Sequence, residues 1–127
     1  MIMSFSEPNK HGVYSKDDSE EFIFENKHII VMANVLQINK DTWIHAVSHS
    51  LKTVPDRGCT AGTHTPLKAS CNKSRSTIRS ESIDKIRKDI NLIIESGRKN
   101  ISGSTWRKSW DLVDAWCFNI DRQLNLF

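Results

Sequence analysis

Proline, glycine, cysteine and tyrosine are all sparse in this chain, at three, five, three and one of 127 residues. Each shortage excludes something. So little proline and glycine rules out a collagen-like or low-complexity chain, and no internal repeat is visible. Three widely spaced cysteines, an odd number, fit a reducing compartment better than a disulfide framework, so a cytoplasmic protein is expected. Long hydrophobic runs are missing as well. The longest, Ile29 to Ala33, falls far short of the roughly 18 residues of a membrane span. The first residues have neither a basic start nor an apolar stretch, so no signal peptide is expected. No glycine-rich phosphate loop, GxSxG elbow or dinucleotide fingerprint occurs, and no known cofactor is implied.

What the chain does have is concentrated at its end. Trp106, Trp110, Val113, Cys117, Ile120 and Leu124 recur at steps of four and three, one stripe of a helix. Trp116 lies beside the stripe. Upstream, Ile83, Ile86, Ile90, Ile93 and Ile94 make a second apolar stripe starting near Ser80 or Ser82, with Gly97 placed to end that helix. The short link through Ser102-Gly103-Ser104 makes the pair an antiparallel helical hairpin.

The N-terminal third reads as strands. Gly12–Ser15, Phe22–Phe24 and His28–Met32 are β-branched or aromatic runs, and Glu25-Asn26-Lys27 between the last two has the composition of a hairpin turn. A three-stranded antiparallel meander over about residues 12–37 is expected. A helical reading competes, because Phe22, Ile29, Met32, Ala33 and Leu36 can share a helix face. For residues 42–51, Asp41 as N-cap favours a short central helix with Trp43, Ile44, Val47 and Leu51 on one side. As a strand, Trp43, His45, Val47, His49 and Leu51 would alternate. Residues 54–79 have little periodicity and read as a long irregular connection, with residues 56–79 expected to be the most mobile part of the chain unless a metal or a partner orders them. The expected architecture is a single α+β domain, 1–127, with a small N-terminal antiparallel sheet packed on a C-terminal helical hairpin plus one central helix. An all-α bundle is the runner-up.

Charge is unevenly spread. Residues 1–26 carry six acids against two lysines, whereas residues 52–108 carry thirteen Lys and Arg against five acids. Lys68, Lys73, Arg75, Arg79, Lys85, Arg87 and Lys88, interleaved with serine, threonine and asparagine, could neutralise phosphates and so form a nucleic-acid surface. The tryptophan helix is the other candidate surface: Trp110, Trp116 and Phe127 could bind a protein partner or close a homodimer. A contrasting group is His45, His49, Cys59, His64 and Cys71. On a helix, His45 and His49 would lie one turn apart and could clamp an ion, and a cysteine with a histidine base could make a small hydrolase. No Cys-x-x-Cys or His-Glu-x-x-His spacing supports a metal site, so none is assigned. The functional expectation is therefore a non-enzymatic binding module, with a His/Cys-dependent hydrolase or zinc-binding protein as the alternative.

Overall fold

The computed structural model of the chain describes residues 5–52, 61–69, 72–101 and 103–121. The order of elements is β1 (Val13–Tyr14), a 3-10 turn, β2 (Glu20–Glu25), β3 (Ile29–Asn39), β4 (Thr42–Leu51), β5 (Ala61–Thr63), β6 (Leu67–Lys68), a second 3-10 turn, β7 (Arg75–Ser76), α1 (Arg79–Asn100) and α2 (Ser104–Asn119). The architecture is α+β, as the sequence implies. The main sheet runs β2-β3-β4-β5 with β7 also on β4, and β1 pairs with β6 in a separate ribbon.

The β2–β3 hairpin forms where its turn composition places it. The Asn26 side chain accepts from the backbone N–H groups of His28 and Ile29, and Asn26 N–H donates to the Ile29 carbonyl at 3.0 Å. An asparagine that mimics a backbone turn is the physical reason the chain reverses here. The next reversal uses the same device, with Asn39 Oδ1 accepting from Asp41 N–H at 3.0 Å.

Thr42–Leu51 is a strand, which corrects the expected central helix. Asp41 is a turn residue rather than an N-cap. The reason lies in how β4 is covered. His45, Val47 and Leu51 face the helices, while Ile44, Ala46 and Ser48 face the β1–β6 ribbon; all are buried. A strand buried on both faces loses the polar half of its alternation, so its periodicity is blunted. The meander therefore comprises β2, β3 and β4 rather than β1 to β3. Strand β1 forms at the expected residues but pairs through Val13–Lys68 and Tyr14–Leu67, far away in the sequence. The stretch read as an irregular connection holds β5, β6 and β7; residues 54–60 and 70–71 of it lie outside the described residues.

Two cores result. The larger, between sheet and helices, holds Ile29, Val31, Ala33, Val35, Val47 and Leu51 against Ile83, Ile86, Ile90, Ile94, Trp106, Trp110, Val113, Cys117 and Ile120. The smaller, beneath the ribbon, holds Leu36, Ile44, Ala46 and Leu67 with Tyr14 and Ile38. Ser48 stitches the ribbon side, its hydroxyl accepting from Thr65 N–H at 2.9 Å and from the Lys16 ammonium at 3.4 Å.

The helical hairpin is as expected except at Gly97. That residue lies inside α1, whose C-cap is Ile101. A Cβ at position 97 would overlap the Trp110 indole, so this glycine serves the close approach of the two helices rather than termination. No helix among the described residues is long and apolar enough to cross a membrane.

Candidate interaction surfaces

The tryptophan stripe is core. Trp106 and Trp110 are 5% and 1% exposed and stack on one another with centroids 5.9 Å apart, and His28 lies 5.4 Å from Trp106. Trp110 is therefore spent inside one chain and presents no face to a second copy. Trp116 is different. It is half-buried, its ring 6.0 Å from Phe24 of β2, and it flanks a cleft of about 400 Å³ with Glu20, Phe22, Ile23, Asn119 and Asp121. Phe127 lies outside the described residues. On the outer side of α2, Leu112 and Phe118 are exposed.

Among the seven basic candidates, Arg79, Arg87 and Lys85 donate to partners within the fold. The Arg79 guanidinium bridges β2 to the end of α2, donating to both oxygens of Glu20 at 2.9 and 2.6 Å and to both of Asp121 at 2.7 and 2.9 Å. The hydrogen bonds it donates to Asp121, and then to Glu20, hold Arg79 charged well above its usual range, and Arg79 holds the Asp121 carboxyl below its own. Such a double fork is an orienting clamp, and phosphate would have to displace two carboxylates to use it. Arg87 donates to Asp84 at 3.3 Å and to the Ile120 carbonyl, and Lys85 donates to the Arg75 carbonyl. Lys68 is half-buried in the ribbon, while Lys73, Arg75 and Lys88 are exposed.

The histidines do not converge. His45 is 3% exposed, with Nε2 3.1 Å from Asp89 Oδ2 and Nδ1 lacking a hydrogen-bond partner. His49 lies on the same face of β4, its Nδ1 3.1 Å from Thr63 Oγ1, and burial lowers its pKa. As strand residues four apart they are separated by about 13 Å along β4, too far to share one ion, so the one-turn clamp expected from a helix does not exist. His64 is exposed in the link between β5 and β6, and Cys59 and Cys71 lie outside the described residues. Among the described residues no group of three or more His, Cys, Asp or Glu side chains could hold a metal ion. Cys117 is a buried free thiol whose pKa burial pushes up to about 11, an inert small apolar residue at neutral pH.

The feature that sequence reasoning missed is the outer edge of β2. It is the terminal strand of the main sheet, with β3 on one side and no strand among the described residues on the other. Its direction of hydrogen bonding follows from the turn. Asn26 bonds to Ile29, and bonded pairs alternate along an antiparallel ladder, so Phe24–Val31, Phe22–Ala33 and Glu20–Val35 carry the bonds to β3. The backbone groups of Glu21, Ile23 and Glu25 therefore point outward. The alternation Glu-Phe-Ile-Phe-Glu over residues 21–25, one apolar residue between two outward glutamates, was the available signal. Compared with protein-family models, curated proteins and solved structures, the chain finds no match.

Proposed function

We propose that the chain is a non-enzymatic module that recognises another protein along the flank formed by β2 and the C-terminal half of α2. One observation carries this reading: an open strand edge lies directly beside a half-buried tryptophan and a cleft of about 400 Å³. Unpaired backbone groups supply affinity, and an aromatic anchor beside them supplies a place for a side chain. The widely spaced, odd cysteines support a cytoplasmic setting. The nucleic-acid reading keeps the exposed Lys73 and Lys88 but loses the support of Arg79, Arg87 and Lys85, whose donors serve the fold. The hydrolase reading is supported by the His45–Asp89 pair alone.

A photocrosslinking residue placed in turn at positions 23, 73, 88 and 91 of the full chain tests the reading in the native cell. The expected result is a nuclease-resistant protein adduct from position 23, competed away by excess unmodified chain and absent from position 91. Adducts destroyed by nuclease, formed from positions 73 and 88 instead, would replace this reading with nucleic-acid binding. An adduct from position 23 with a second copy of this chain would make the surface a dimer interface.

A further inference from the structure

Strand β2 has a chemistry of its own at its open edge. The outward backbone positions are Glu21, Ile23 and Glu25, whose side chains also share the face away from the helices. Glu21 and Glu25 are exposed, and Ile23 is a large apolar side chain left 47% exposed. Phe22 and Phe24 point to the other face, into the helix-side core beside Trp116.

Self-pairing is the first use to consider for such an edge. A two-fold antiparallel pair centred on Ile23 would set Glu21 of one chain opposite Glu25 of the other, twice. Like charges directly opposite one another across strands destabilise the pair, and charged residues at an edge are a common guard against edge-to-edge aggregation. The same two glutamates favour a strand that carries lysine or arginine at those positions. Both glutamates are exposed, so a cation of the partner can approach them beside the neighbours they already have. Glu25 is paired with Lys52, both at the surface, and Glu21 accepts from Asn34 Nδ2 at 3.2 Å with Lys16 nearby. Asp17 and Asp18 lie in the 3-10 turn that leads directly into β2.

We infer that the partner docks as an added antiparallel strand on β2, and that its docking segment alternates a basic residue, an apolar residue and a basic residue opposite Glu25, Ile23 and Glu21. The two intervening side chains then fall on the helix side, one opposite Phe24 next to Trp116 and one opposite Phe22 at the mouth of the cleft lined by Asn119 and Asp121. This rests on the protein-recognition reading above and adds the docking mode and the charge of the partner. Main-chain bonds give the affinity in this mode, and the alternate side chains select the sequence.

The test uses the full chain labelled with nitrogen-15 and a capped peptide with the core Lys-Val-Ile-Val-Lys, which reads the same in both directions. In the expected register the peptide N–H groups of Lys and Ile point at β2 and those of Val point away. The expected result is saturable shifts of the Glu21, Ile23 and Glu25 amides and of the Trp116 indole. N-methylation of the central Ile should abolish binding, whereas N-methylation of either Val should not. Replacing both Lys by Glu should weaken binding at least about fivefold. Equal binding of the Lys and Glu peptides would overturn the basic-partner inference, and indifference to Ile N-methylation would overturn strand addition. A protein adduct from position 23 that persists alongside either negative result would leave the recognition reading standing and remove only this docking mode.

Discussion

At Gly97 a single hydrogen in place of a side chain decides how closely α1 and α2 approach. The Trp110 indole occupies the space a Cβ would need, and the clash is with a buried ring. Gly97→Ala should therefore destabilise the protein by about 1–3 kcal/mol, the usual cost of overpacking, despite alanine's better helix propensity. Urea denaturation followed by circular dichroism would check it, and a stabilised variant would contradict the packing described. The Arg79 clamp makes a second prediction at this scale. Asp121 has its folded pKa depressed by Arg79, so its contribution is fully present above the unfolded carboxylate value near 4. It is lost as pH falls from there through the folded pKa. In Asp121→Asn the stability lost between neutral pH and acid should be smaller than in the wild-type chain, with the difference confined to that window. Identical acid limbs would mean the fork contributes nothing.

The two faces of α2 carry different burdens. Trp110→Ala removes a fully buried indole and should cost about 3–5 kcal/mol, whereas Leu112→Ala, at a side chain 54% exposed, should stay within about 0.5 kcal/mol. Thermal or urea unfolding of both variants checks the assignment of the stripe to the core. The helices were the legible elements, because an isoleucine or tryptophan every three or four residues gathers on one face of a helix and nowhere else. The sheet was half legible. Asn26 between two β-branched runs announced the β2–β3 hairpin, yet β4 imitated a helix because both its faces are covered and Asp41 resembled a cap. Strands β5 to β7 have two or three residues each, too few to show any period. The pairing of β1 with β6 joins residues more than fifty positions apart, a contact that no local pattern encodes. The candidate surface was illegible for the same reason: a free edge is a property of the sheet order, which only tertiary structure defines.

For the whole molecule, function turns on which surfaces remain after folding has used its share. Trp106 and Trp110 went to the core, Arg79, Arg87 and Lys85 to internal bonds, and His45 and His49 to separate places along β4. Among the described residues, the flank of β2 and Trp116 has both backbone and aromatic groups on offer. Replacing the exposed Lys73 and Lys88 by Ala should consequently leave docking on β2 unchanged, which the same peptide titration would read. The central claim is that the β2 edge is open, and amide hydrogen exchange measured residue by residue on the dilute protein tests it most directly. The account predicts alternation: the N–H groups of Phe22 and Phe24, bonded to β3, are protected, while those of Glu21, Ile23 and Glu25 exchange near the rates of unstructured chain. Protection of all five would mean that the edge is already covered, by another part of the chain or a second copy, and would contradict the account.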